Sequence, residues 1–256
     1  MTQSDETMRK LQEIIRETDN IVFFGGAGVS TASGIPDFRS PNGLYHQKTN
    51  RPYPPEYYFS HEFCVSDPDG FADFTRECWR SYQVAPSGAH LQLAEWEKEG
   101  KLKAIVTQNI DGLHQRAGSK TVYEVHGNMH EIYCPHCGNT VPTEEFMAGK
   151  GRFPCPKCGH NMRAAVTLYG EMLPEDDFTA AIRAIKQCRT LIVGGSSLVV
   201  YPAAGLIDYY RGKELILINF EPTPADVRAD YVLHGDISQI LPQMAGKPVA
   251  GKKAWL

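Results

Sequence analysis

Two spacings of apolar residues run through the chain. Over residues 4–18, Met8, Leu11, Ile14 and Ile15 recur at helical spacing, with Ser4 placed to cap the helix they predict. Ile21-Val22-Phe23-Phe24 is instead a short continuous apolar run that ends in glycines, as a strand buried on both faces would. The same signature returns at 102–107, 190–193 and 215–218, each time followed by polar residues or glycine: Gln108-Asn109-Ile110-Asp111, Gly194-Gly195-Ser196-Ser197 and Asn219. Between these runs lie helical patterns at 90–99, after the Pro86-Ser87-Gly88 turn, and at 176–187, after Pro174. Alternating strands and helices predict an α/β fold with an open, mostly parallel sheet, and such sheets bind ligands at the carboxyl ends of their strands. The polar residues gather at those ends.

Two stretches break the alternation. Residues 40–80 are rich in Pro, Tyr and Phe and read as an irregular or helical insertion, and residues 127–162 carry two Cys-x-x-Cys pairs. The tail 246–256 is expected to be loose. Lys plus Arg number 26 against 30 Asp plus Glu, a net charge of -4, so composition gives no general attraction to nucleic acid or to an anionic membrane. The opening MTQSDETMRK is polar and mixed in charge, and no run of about 18 apolar residues occurs. A cytoplasmic protein without membrane or nucleic-acid partners is the expectation.

The strongest chemical signal is Cys134-x2-Cys137, 17 intervening residues, then Cys155-x2-Cys158, each pair in a Cys-Pro-x-Cys-Gly context. Four thiolates at this spacing can close a tetrahedron around Zn2+, and a site filled by four protein ligands is structural rather than catalytic. A redox pair or simply buried thiols are the other readings. His136 and His160 stand close by, but four cysteines suffice, and both histidines are expected to be exposed loop residues.

A second signal is the segment Gly25-Gly26-Ala27-Gly28-Val29-Ser30-Thr31-Ala32-Ser33-Gly34 after the first strand. Its glycines would let the chain approach a pyrophosphate, with the N-terminus of a following helix supplying N–H donors. Thr31 stands where the dehydrogenase fingerprint needs its third glycine, which disfavours a hydride-transfer enzyme. A plain strand-to-helix turn would use the same residues.

Gly26-Ala27-Gly28, the run Gly34-Ile35-Pro36-Asp37-Phe38-Arg39, Gln108-Asn109-Ile110-Asp111, His126-Gly127, the four cysteines, Tyr169-Gly170-Glu171 and Asn219 together resemble the sirtuins, the NAD-dependent protein-lysine deacylases. The likeness runs in order over residues 20–237. It implies that the acyl-lysine carbonyl oxygen attacks the ribose carbon that loses nicotinamide, and that His126 then deprotonates a ribose hydroxyl. A neutral imidazole suits that task; a structural histidine at a strand end is the plainer alternative. The resemblance makes Asn109 the residue that orients the ribose and Asp111 one that holds the nicotinamide amide, although both residue types also cap helices. Phe38 would shield the reactive carbon and Arg39 lie near the phosphates, with Gly26, Ala27, Gly28, Thr31, Asp37, Gln108 and Ile110 completing that half of the cofactor site. Gly195, Ser196, Ser197, Asn219 and Ile237 would serve its phosphate and adenosine end. Val166, Leu168, Tyr169, Gly170 and Glu171 on one side, and Leu198, Val199 and Tyr201 on the other, would take an extended acyl-lysine peptide as an added strand.

The implied molecule has two lobes. A Rossmann-like NAD-binding domain comprises residues 1–39, 84–126 and 163–256, and a small lobe joins the helical insertion 40–83 to the zinc ribbon 127–162. Tyr82 has no arginine three residues on, so the carboxylate of a succinyl group would lack a bidentate partner, and an uncharged acyl group is expected. Protein ADP-ribosyl transfer, or a non-catalytic NAD-sensing zinc-ribbon module, would draw on the same motifs.

Overall fold

The protein is described by a computed structural model covering residues 3–41, 43–46 and 51–248. Its strands, in chain order, are β1 (Ile21–Gly25), β2 (Leu102–Thr107), β3 (Val122–Glu124), β4 (Gly127–Tyr133), β5 (Thr140–Val141), β6 (Phe153–Pro154), β7 (Asn161–Val166), β8 (Thr190–Gly194), β9 (Glu214–Asn219) and β10 (Tyr231–His234). The helices are α1 (Gln3–Glu17), α2 (Pro55–Tyr58), α3 (His61–Ser66), α4 (Pro68–Ser81), α5 (Gly88–Lys98), α6 (Leu113–Arg116), α7 (Thr143–Ala148), α8 (Glu175–Gln187) and α9 (Ile237–Met244).

Six strands form one sheet in the order β10-β9-β8-β1-β2-β3, and every neighbouring pair is parallel. Numbered by their appearance in this sheet, the strands run 6-5-4-1-2-3, the doubly wound order in which the chain reverses direction across the sheet between β1 and β8. The continuous apolar runs follow from burial on both faces. Phe23 of β1 packs with Leu11 of α1, Trp96 of α5 and Leu241 of α9 on one side. Val22 and Phe24 face Ile185 of α8 and Leu206 on the other. Removing each such phenylalanine from water contributes about 1.5–3 kcal/mol.

The second sheet is antiparallel, in the order β5-β4-β7-β6. It packs with residues from the helical insertion: Ala72 and Tyr82 share a core with Ile132, Phe146 and Met162. Arg76, 1% exposed, ties the two insertions together. Its Nε donates to the Phe146 carbonyl at 2.8 Å and its Nη1 to the Gly151 carbonyl at 2.6 Å and to Asp73 at 2.9 Å.

Several local expectations are corrected. The first helix starts at Gln3, so Ser4 lies in its first turn and not at its cap. After Gly25 the chain enters two 3-10 turns, Ala27–Val29 and Thr31–Ser33, where a helix was expected. Gly34 and Pro36 follow too closely for an α-helix to propagate. Gly246 and Lys247 hydrogen-bond back to Gln243 and Pro242 at the end of α9, and the rest of the expected loose tail, from 249 on, lies outside the described residues. No helix among the described residues is long and apolar enough to cross a membrane.

Candidate active site

The point of reversal between β1 and β8 is occupied by two glycine-containing loops in backbone contact. Gly28 N donates to Gly195 O at 2.8 Å, and Gly26 N to Gly194 O at 3.2 Å. A Cβ on Gly28 would stand 2.7 Å from Gly195 Cα, and one on Gly26 2.8 Å from Gly195 O. The glycines are therefore required by the approach of one loop to the other. A cleft of about 1590 Å³ opens above them, larger than the roughly 300–1,000 Å³ that a single drug-sized ligand occupies. Gly26, Ala27, Gly28, Thr31, Asp37, Phe38, Arg39, Gln108, Asn109, Ile110, Asp111, His126, Gly195, Ser196, Ser197, Asn219 and Ile237 all line it, so the expected cofactor and catalytic residues converge from the ends of all six strands of the parallel sheet.

A chain of hydrogen bonds links these loops. Ser30, 1% exposed, was not singled out from the sequence, yet it sits at the centre. Its Oγ donates to Asp111 Oδ2 at 2.7 Å and accepts from Asn109 Nδ2 at 3.1 Å. Asp111 Oδ1 accepts from Leu113 N at 2.9 Å, so the carboxylate also fixes the turn into the short helix that follows. Burial pushes the Asp111 carboxyl above its ordinary range, while the Leu113 and Ser30 donors and the Arg116 charge pull it back. Gln108 Nε2 donates to Ser196 Oγ at 2.8 Å, and Ser196 N to Asn219 Oδ1 at 2.9 Å. The buried Asn219 Nδ2 has no partner. An amide donor left unpaired beside an open cleft fits a site that takes a polar ligand such as the adenosine end of a dinucleotide.

His126 stands between the end of β3 and the start of β4. Its Nδ1 lies 3.1 Å from Gln108 O, and a carbonyl only accepts, so Nδ1 carries the proton and Nε2 keeps a free lone pair. Burial pulls the imidazole below its ordinary pKa, partly offset by the Gln108 carbonyl, so the ring is neutral at pH 7. Its backbone is fixed as well. His126 O accepts from Thr167 N at 2.9 Å, and Gly127, at φ 71°, passes so close to β7 that a Cβ would sit 1.8 Å from Ala165 O.

On the expected peptide side, Val166, Leu168, Tyr169, Gly170, Glu171 and Tyr201 line the cleft. Leu198 does not reach it: its side chain is buried in the core shared with Ala203 and Leu206. Val199 is 49% exposed but also lies outside the lining. The Glu171 carboxylate is engaged by Arg163 at 2.8 Å, His61 at 2.9 Å and Leu168 N at 3.0 Å, which makes it a brace for the 166–171 segment. Tyr169 OH meets Tyr45 OH at 2.8 Å, and Phe38 packs edge-on against Tyr45 and Phe59, so the 35–46 loop leans on the peptide side. Asn42 of that loop lies outside the described residues.

The four cysteines come together as the spacing predicts. Cys134 Sγ is 3.5 Å from Cys158 Sγ and Cys137 Sγ 3.7 Å from Cys155 Sγ, with all four sulfurs within 4.8 Å of one another. A tetrahedron of Zn–S bonds of ~2.3 Å separates its sulfurs by ~3.8 Å. The donor set therefore fits a structural zinc ion. Hydrogen bonds Gly138 N to Cys134 O and Gly159 N to Cys155 O, at 2.9 and 2.8 Å, close the two knuckles. His136 and His160 are exposed, as expected.

A family model described as the Sir2 family matches residues 26–202. An NAD-dependent protein deacetylase of Clostridium acetobutylicum is 50% identical over 237 residues, covering 92% of this chain and 97% of its own. Among solved structures, a Sir2 homologue–NAD complex superposes with a TM-score of 0.83 at 36% identity, covering 93% of this chain and 92% of that one. A Sir2 protein with a deacetylated peptide and 3'-O-acetyl-ADP-ribose gives 0.82 at 35%, covering 94% and 98%.

Proposed function

The chain belongs to the Sir2 family, and from that premise we propose that it removes acetyl and other uncharged acyl groups from protein lysines with consumption of NAD, releasing nicotinamide and O-acyl-ADP-ribose. One observation carries the reading: His126, whose Nδ1–H is held by the Gln108 carbonyl so that Nε2 keeps a free lone pair, lines a cleft that also gathers Asn109, Asp111 and the glycine loops. Bound NAD supplies the ribose carbon that loses nicotinamide and the hydroxyl that receives the acyl group.

The protein's own residues do the rest. His126 Nε2 takes the hydroxyl proton, and the Gln108 carbonyl keeps Nδ1–H in place and steadies the resulting imidazolium. Asn109 orients the ribose and Asp111 holds the nicotinamide amide, both fixed by Ser30. Phe38 screens the reacting carbon from water, and Arg39 meets the phosphates above the Gly26–Gly28 and Gly195–Ser197 loops. Asn219 and Ile237 hold the adenosine end. Val166, Leu168, Tyr169 and Gly170 offer one edge to the peptide, with Tyr201 opposite. The zinc ion, held by Cys134, Cys137, Cys155 and Cys158, maintains the small lobe and leaves no position for water.

The division into a cofactor domain (1–39, 84–126 and 163–256) and a small lobe (40–83 and 127–162) belongs to the same proposal. So do action in the cytoplasm and the absence of membrane or nucleic-acid partners.

His126→Ala provides the test. NAD binding, followed calorimetrically, should persist, while turnover of an acetyl-lysine peptide should fall by at least about 10²-fold. Undiminished turnover would remove the mechanism. Label from NAD left covalently on protein would favour ADP-ribosyl transfer instead.

A further inference from the structure

The zinc ribbon carries two imidazoles that a four-cysteine site does not need. His136 and His160, both exposed, stack with ring centroids 3.8 Å apart and planes 4° from parallel. One nitrogen of each ring and Cys158 Sγ all lie within 4.8 Å of one another. We propose that His136 and His160, with the Cys158 sulfur as a shared third ligand, form a second site for a zinc-class divalent ion on the outer face of the ribbon.

The two knuckles provide an internal comparison. Cys134 N donates to Asn139 O at 2.8 Å, and Cys155 N to His160 O at 2.7 Å. His160 therefore occupies in the second knuckle the place of Asn139 in the first, and Lys157 occupies the place of His136. The corresponding pair is thus Lys157 and Asn139, a cation and a neutral amide with no borderline-soft donor. Only one face of the ribbon combines imidazoles with thiolate.

Imidazole nitrogen and thiolate sulfur are the donors that zinc-class ions prefer over hard oxygen. Each imidazole can offer a ring nitrogen to the ion, and a Cys158 thiolate already bound to the structural zinc retains further lone pairs on sulfur. Rotation about the soft Cβ–Cγ torsions turns the two rings onto a common ion and brings ligand atoms that already lie within 4.8 Å of one another to the ~3.4–3.8 Å separations of tetrahedral zinc. Three protein ligands on an exposed face leave the fourth position to water, so the ion should be exchangeable where the structural one is not.

The test uses full-length protein shown by metal analysis to carry one zinc per chain. Co2+ is titrated in, followed by absorption spectroscopy and by analysis of bound cobalt and released zinc. One Co2+ per chain should bind with a thiolate-to-cobalt charge-transfer band and no loss of zinc. His136→Ala and His160→Ala should each weaken uptake by at least about tenfold, and Lys157→Ala should leave it unchanged. Cobalt uptake matched by zinc release, uptake without the thiolate band, uptake that persists in the double histidine variant, or no uptake would each overturn the proposal. Deacetylase turnover is not read, so its outcome leaves this test untouched.

Discussion

Ser30→Ala removes a hydroxyl that touches both Asn109 and Asp111 of the 108–111 turn. In the native protein it donates to Asp111 at 2.7 Å and accepts from Asn109 at 3.1 Å. A hydrogen bond to an ionised group contributes about 1.5–3 kcal/mol, and 1.4 kcal/mol is tenfold, so kcat/KM for NAD should fall roughly ten- to hundredfold. The loss should also depend on pH. Burial already holds the Asp111 carboxyl above its ordinary range, and the Ser30 donor is one of the groups that lower it. Without that donor the carboxyl moves further up. In the proposed role the ionised form accepts from the nicotinamide amide, so the acid limb of the profile should shift to higher pH and the deficit should shrink as pH rises. Initial rates against NAD concentration between pH 5 and 8, with thermal unfolding as a control, make the measurement. A profile that superposes on the parent's, or a fall in kcat with NAD affinity intact, would refute the role given to Ser30.

Three further outcomes are expected. Stripping zinc with a strong chelator, or Cys155→Ser, should abolish activity and open segment 127–166 to protease, because Cys134 and Cys155 share a buried core with Ile132, Phe146 and Met162; full activity in metal-free protein would contradict this. Burial pulls His90 down to about 4 and His114 well below its ordinary value, whereas both titrate near ~6.5 when unfolded. The unfolded chain then binds more protons, so stability should drop as pH falls from about 6.5 towards 4. Urea unfolding at several pH values should show a shallower slope in His114→Phe, and an unchanged slope would exclude this histidine as a source. Ala85 stands three residues after Tyr82, and Arg116 is turned onto the Tyr82 and Asp111 carbonyls. Acetyl-lysine should therefore be processed at least about tenfold faster than succinyl-lysine, and the reverse order would be a contradiction.

The parts of the fold legible in the sequence are those with strong local signals. The four interior strands β1, β2, β8 and β9 are buried almost throughout, Lys103 of β2 being the exception, and the observed elements match the apolar runs to within a residue or two. β3 and β10 are the edge strands of the same sheet. They are short and only partly buried, so no continuous apolar run marks them. The cysteine tetrahedron was readable because ligand spacing is itself the chemistry. Ser30 was not, since its role exists only after parallel pairing of β1 with β2 sets it beside the 108–111 turn. The glycines of 26–28 were read as making room for a pyrophosphate; in the fold they also make room for Gly195, a contact between segments more than 160 residues apart. Leu198 was expected on the peptide side through the family resemblance alone; its backbone adopts a positive φ of 55° and its side chain lies in the buried core, a placement that no local sequence pattern marks.

In the proposed reaction the cleft couples nicotinamide loss to acyl transfer from lysine. Mass spectrometry of the mixture after incubation with NAD and an acetyl-lysine peptide addresses it directly. Deacetylated peptide, nicotinamide and O-acetyl-ADP-ribose should appear in equal amounts. Acetate released without NAD consumption, or ADP-ribose attached to the peptide, would contradict the account.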